Sequence, residues 1–392
     1  MKPREIRKNV HWVGAVDWDR RLFDALIPLP DGTSYNAYLV KGSEKTVLLD
    51  AVDPTKTDIL ARHLEAVPKI DYIIAHHAEQ DHSGAIVFVM EKYPGAVVLC
   101  SEKARPMLID HLILPEDRVR AVKDGETVSL GDKTLSFVYT PWVHWPETMS
   151  TYLAEDKILF SCDFFGSHLA TSDLFVADEE RVYEPAKRYY AEIMMPFRKI
   201  VRDNLEKVSR LEIDIIAPSH GPLHGRPGFI MDAYRDWAGD TPKNIAVIPW
   251  VSMHGSTAKM AEYLVEGLAE RGVRVHPFNM EVADIGQLAM SLVDAATVIV
   301  GAPTVHVGPH PAVVSAVYLA NALRPKARFA SVFGSYGWAT KTVDVIKGMI
   351  PALKVELIEP VICRGYPRDA DFRGLDAMAD AVAAKHAELG LV

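Results

Sequence analysis

The chain has 392 residues, 49% hydrophobic and 24% charged, with a formal net charge of −9. That length suits two domains with sizeable cores, and the ordinary composition excludes a disordered chain. The acidic balance argues against nucleic-acid binding, and no apolar run approaches the ~18 residues that a membrane helix needs.

The basic start, Met1 to Arg7, has no apolar core behind it, so no signal peptide is expected. Cys100, Cys162 and Cys363 are isolated, which leaves neither a disulfide framework nor a CxxC metal site. The expected compartment is the cytoplasm.

In chain order, residues 33–40 alternate like a strand, and Thr46 to Asp50 follows after a turn. Asp58 to Glu65 reads as helix, and the apolar run 70–75 as a buried strand. A helix through Met90 follows, then strands over 96–100, 134–139, 149–154 and 157–161. Residues 185–211 turn helical, with Pro196 as a break. Another strand, 213–217, leads to Pro218-Ser219-His220-Gly221. These elements predict an αββα sandwich. After residues 239–243 strand and helix alternate regularly, the pattern of an open, doubly wound parallel sheet. The expected domains are 1–241 and 242–392, with no internal repeat.

The densest chemistry is His77-Ala78-Glu79-Gln80-Asp81-His82, just past the strand at 70–75. If extended geometry persists, His77, Glu79 and Asp81 share one face, while His82 joins only if the chain turns, as at Ser83-Gly84. Three more candidates, His144, Asp163 and His220, each follow a strand. Four imidazoles and three carboxylates suit two metals with one bridging carboxylate. Nitrogen and oxygen donors in this ratio fit iron, manganese or zinc, and three anions favour iron that reaches the ferric state.

This pattern resembles the metallo-β-lactamase fold, whose hydrolases carry HxHxDH, but Glu79 stands where the second His would be. With 61 residues between His82 and His144 and 18 between His144 and Asp163, it is similar to the flavodiiron proteins. The resemblance implies that His77, Glu79 and His144 hold one iron. Asp81, His82 and His220 would hold the other, with Asp163 bridging. In some members the residue matching His82 turns away and water replaces it.

In the second domain, Ser252, Met253, His254, Gly255, Ser256 and Thr257 lie between a strand and a helix, where N–H groups and hydroxyls make an anion cradle. Pro303, Thr304, Val305, His306 and Gly308 follow the next strand. Ser335, Tyr336, Gly337 and Trp338 follow a third, and the two aromatics are placed to border a flavin. The arrangement is similar to a short-chain flavodoxin, which implies FMN; His254 stands where related domains often have Tyr. A GxGxxG fingerprint is absent.

Tyr189, Tyr190 and His168 are within reach of the metal pocket, with packing expected for at least one tyrosine. His76 should face away from His77 in a supporting role. Trp18, Trp142 and Trp145 are expected as apolar walls. The family resemblance implies an oxidoreductase that reduces O2 to water, NO to N2O, or both. It also implies an external donor such as rubredoxin or reduced coenzyme F420, and a head-to-tail homodimer or homotetramer. The alternatives are a zinc hydrolase of the metallo-β-lactamase class fused to a flavodoxin-like domain, which Glu79 opposes, and a non-enzymatic module, for which four ligands would suffice.

Overall fold

The structure is a computed structural model that describes residues 2–392. The chain forms two compact units that meet in sequence at Ala238 and Gly239.

The first unit contains two sheets. One has seven strands in sequence order: β1 (Arg4–Arg7), β2 (Val10–Trp12), β3 (Tyr38–Lys41), β4 (Thr46–Leu49), β5 (Tyr72–Ala75), β6 (Val97–Ser101) and β7 (Val119–Val122). The other has five: β8 (Thr127–Ser129), β9 (Thr134–Tyr139), β10 (Met149–Leu153), β11 (Ile158–Cys162) and β12 (Ile215–Pro218). Alternate residues, such as Tyr38 and Val40, Leu135 and Phe137, Ile158 and Phe160, enter one core between the sheets. The intervening Leu39, Leu48, Ile73, Leu159 and Ile216 are buried too. Both faces of each sheet are therefore covered, as the αββα expectation requires.

One local reading changes, and the break expected at Pro196 is found. Residues 33–40 do not form one strand: Thr33–Tyr35 pairs with Ala15–Asp17, and the chain switches at Asn36 into β3. The Asn36 side chain makes the switch, donating to the carbonyls of Pro218 and Gly221 and accepting from Trp12. Around Pro196, a helix (Glu179–Tyr189) loosens into a wide turn (Tyr190–Met194), tightens over Met195–Phe197 and restarts at Arg198–Val208.

The second unit is a parallel sheet of β13 (Lys243–Trp250), β14 (Arg274–Asn279), β15 (Ala295–Val305), β16 (Phe329–Tyr336) and β17 (Glu356–Leu357), in the order β14-β13-β15-β16-β17. A further strand, β18 (Val361–Arg364), also pairs with β16. β15 is nearly all apolar and buried, as a strand covered on both faces must be. Helices Ser256–Glu270 and Asp369–Glu388 bury Met260, Leu264, Leu375 and Met378 against it. The helix Ile285–Asp294 has no counterpart in the sequence reading. Strand order reverses between β13 and β15, and a cleft opens at the carboxyl ends of such strands. A Cβ on Gly334 would lie 1.9 Å from the carbonyl oxygen of Ala302, so only glycine permits that approach of β15 and β16.

Candidate metal centre and flavin cleft

The ligand segment leaves β5 at Ala75, bends at His76 and again at Glu79, then makes a helical turn over Gln80–Ser83. The turn therefore begins three residues before the expected Ser83-Gly84. It puts Asp81 and His82 on the same side as His77 and Glu79. His144 follows β9, Asp163 follows β11, and His220 follows β12. Asp50 and Cys162, at the ends of β4 and β11, have left-handed backbones (φ 54° and 56°), a strain found where a chain must redirect a side chain at a site.

All seven predicted side chains converge into two donor sets. In the first, Glu79 Oε2 lies 3.0 Å from His77 Nε2 and 3.1 Å from His144 Nε2, and Asp163 Oδ2 lies 3.6 Å from both nitrogens. In the second, Asp163 Oδ1 lies 3.0 Å from His82 Nε2 and 3.4 Å from His220 Nε2, while Asp81 stands 3.2 Å from His220 and 3.4 Å from His82. The two oxygens of Asp163 thus face different sets. Ligands about 2.1 Å from one ion lie about 3 Å apart, which these separations match. Both Asp81 oxygens and Asp163 Oδ2 are buried without a hydrogen-bond partner among the described residues. Buried carboxylate oxygens left so require a cation, and the donor set fits two ions.

Electrostatics agree. Burial alone would lower the pKa of His77, but its hydrogen bonds to Glu147 and Glu79 outweigh that and lift it to about 10. His82 and His220, both close to the carboxylates of Asp163 and Asp81, likewise overcome burial and reach about 9 and about 10. The cavity demands positive charge. Without metal it takes protons; with metal the imidazoles are neutral ligands.

The supporting groups were less visible in the sequence. Glu147 accepts from His77 Nδ1 at 2.7 Å and from the Ala78 N–H at 3.1 Å. His220 Nδ1 donates to the Ser34 carbonyl at 2.7 Å. His76 faces away from the ligands, as expected: Nδ1 meets Asp50 at 2.6 Å and Nε2 meets Thr151 at 2.7 Å. Asp50 also accepts from the His76 N–H and from Ser219. Tyr189 donates to Asp163 Oδ1 at 2.8 Å, while Tyr190 packs on Tyr234 and Trp237. His168 sits behind His220, its Nδ1 2.9 Å from Thr33 Oγ1. Trp145 meets His77 edge to face at 4.8 Å. Trp142 stacks on Phe197 and Trp18 is half exposed, so neither is a fully buried wall. A cavity of about 510 Å³ opens over Glu79 and Asp81, lined also by Arg20, Phe23, Asp24, His111 and Trp145. Burial and the Glu79 charge raise the Asp24 carboxyl to about 6.

In the second unit a cleft of about 190 Å³ lies between the three predicted loops. Ser252, Met253, His254, Ser256 and Thr257 line it, with Pro303, Thr304, Ser335, Tyr336 and Gly337. Gly255 takes the left-handed turn (φ 85°) that starts the helix at Ser256, and that helix has no side-chain cap. Its first N–H groups are therefore left to an anion, beside the Thr257 hydroxyl, which is 3.4 Å from that of Ser335. These groups fit a flavin phosphate. Thr304 binds the third loop through Thr340 and Thr342. Val305, His306 and Gly308 form the adjoining hairpin and Trp338 is 75% exposed, so these four do not line the cleft; Gly365, absent from the sequence reading, does.

Residues 33–221 match the model of the ODP family of β-lactamase-like domains, and residues 248–374 match flavodoxin. The chain is 36% identical over 398 residues to a nitric oxide reductase of Moorella thermoacetica, covering 99% of this chain and 100% of that one. It is 36% identical over 351 residues to a coenzyme F420H2 oxidase of Methanothermobacter marburgensis, covering 85% and 86%. The rubredoxin oxygen:oxidoreductase of Desulfovibrio gigas superimposes with a TM-score of 0.96 at 30% identity over the whole of both chains. The Giardia intestinalis flavodiiron protein gives 0.90 at 27%, covering 99% of this chain and 98% of that one. The chain belongs to the flavodiiron family. It is an oxidoreductase with a diiron centre and FMN. No helix among the described residues is long and apolar enough to cross a membrane.

Proposed function

We propose that residues 1–241 form the diiron domain and 242–392 the FMN domain of an enzyme that reduces O2 to water, NO to N2O, or both. The observation that carries this reading is the division of Asp163 between the two donor sets. His77, Glu79 and His144 would hold one iron, Asp81, His82 and His220 the other, with Asp163 shared. A hydrolytic zinc site has no need of Glu79 between two imidazoles, and two of the named relatives are a nitric oxide reductase and a rubredoxin oxygen:oxidoreductase.

When bound, the irons supply electrons and open coordination positions, and FMN supplies further electrons. The chain's own residues do the rest. The cavity over Glu79 and Asp81 admits a diatomic gas, and Phe23 and Trp145 give it an apolar part of its wall. Full reduction of O2 consumes four protons, and coupling of two NO consumes two. Asp24 lines this mouth beside Glu79, where a carboxyl can pass protons inward from solvent. Tyr189 holds Asp163 Oδ1 through its hydroxyl, fixing the shared carboxylate. Glu147 and Ser34 hold the distal nitrogens of His77 and His220, which keeps each Nε2 free to bind.

We further propose an external donor, either rubredoxin or reduced coenzyme F420, and a cytoplasmic, head-to-tail homodimer or homotetramer that brings one chain's FMN to its partner's irons. The deciding experiment is anaerobic purification from iron-replete cells, with metal and flavin counted per chain, followed by O2 and NO consumption. About two irons, one FMN and consumption of either gas are expected. Zinc in place of iron would move the hydrolase reading to first place.

A further inference from the structure

The two halves of the metal centre are matched in their immediate ligands. Each has two imidazoles, one carboxylate of its own and one oxygen of Asp163. They differ one bond further out. The distal nitrogen of His77 faces a carboxylate, Glu147, whose side chain is wholly buried. The distal nitrogen of His220 faces only the main-chain carbonyl of Ser34, at the same 2.7 Å. An imidazole whose N–H is held by a buried anion is the more basic ligand and gives more charge to its metal. Low local polarity strengthens that difference, because Glu147 Oε2 has no hydrogen-bond partner among the described residues to spread its charge.

We propose that Glu147 is a positioning residue that makes the iron at His77, Glu79 and His144 the more easily oxidised of the pair. A centre that has lost one electron then keeps Fe(III) at that site and Fe(II) at Asp81, His82 and His220. The inference rests on the diiron reading above. In the step concerned, a one-electron oxidant of the ferricyanide class takes one electron from the diferrous centre. One Fe(II) becomes Fe(III), the Nδ1 proton of His77 shifts toward Glu147 Oε1 without leaving the pair, and no bond to carbon breaks. The asymmetry gives the centre a fixed order of electron loss, with the ferrous ion left on the side of Tyr189 and His168.

The test is an oxidative titration of the anaerobic holoenzyme, unaltered and as Glu147→Gln, reading the peak yield of the mixed-valent signal by electron paramagnetic resonance. Iron per chain is counted first. Gln removes the charge, raises the potential of the His77 iron toward that of its neighbour, and lowers the mixed-valent yield several-fold. A higher yield would mean that the other iron is oxidised first, and an unchanged yield that Glu147 does not tune the centre; either overturns the proposal. Glu147→Asp keeps the charge but withdraws it from Nδ1, and its yield falls between the two. In the unaltered protein, low-temperature Mössbauer spectra of the one-electron-oxidised state show separate ferric and ferrous doublets. A single averaged doublet overturns the proposal without any variant. Unaltered protein that carries no iron overturns the diiron reading instead, so the two failures are separable.

Discussion

The metal centre and the flavin cleft are built on opposite plans. At the metal centre seven side chains define the site, and three of them are held by buried partners: His77 by Glu147, His220 by Ser34 and Asp163 by Tyr189, with the Asp50–His76–Ser219 cluster beside them. In the flavin cleft the backbone defines the site: an uncapped helix start, a glycine that lets two strands approach, and hydroxyls that add to N–H groups. A metal ligand cannot be exchanged for its neighbour in chemical type, whereas an amide N–H is the same whatever side chain follows it. The first site should therefore fail in all-or-none fashion and the second by degrees.

The sharpest break of that contrast is Asp163→Ala. Removing the carboxylate shared by both donor sets should cost more than the roughly 10–100-fold affinity loss typical of outer partners, with iron per chain falling below one while FMN stays bound. Elemental analysis and flavin absorbance read both at once; an unchanged iron count would end the bridging assignment. Next, loading iron into metal-free protein at pH 7 should release about three protons per chain, because His77, His82 and His220 are all charged there before metal enters. Release declines only as pH rises through 9 to 10, so affinity should climb with pH up to that range. Calorimetry in buffers of different ionisation enthalpy counts the protons, and a value near zero contradicts the charged cavity.

In the flavin cleft the changes are smaller. Thr257→Val deletes one hydroxyl facing the anion and should weaken FMN by about 10–100-fold, the size of a hydrogen bond to a charged group, with iron unaffected. Fluorescence titration of the flavin-free protein measures it. Trp338→Ala should be milder still, under about tenfold, because that ring is 75% exposed and outside the cleft. A larger loss would place Trp338 on the flavin after all.

The same contrast explains what the sequence could tell. Histidines and carboxylates in dense spacing are rare, so the convergence of His77, Glu79, Asp81, His82, His144, Asp163 and His220 was legible, and the Pro196 break with it. Glu147 and Asp50 were not, since one carboxylate among many carries no mark until a histidine nitrogen is found 2.7 or 2.6 Å away. The helical turn at Gln80 was hidden because tertiary demand, rather than propensity, starts it. The flavin loops were readable as loops, but which residues face the cleft depends on backbone direction: Gly365, two residues past Cys363, lines it, and Trp338 and His306 do not.

Asp50 sits at the end of β4 and binds His76 beside one ligand and Ser219 beside another, while His76 reaches Thr151 on the facing sheet. The seam that joins the two sheets and the floor beneath the irons are thus the same handful of atoms. Weakening that seam should therefore loosen the ligands and the fold together, so that Asp50→Ala lowers the melting temperature and the iron content in step.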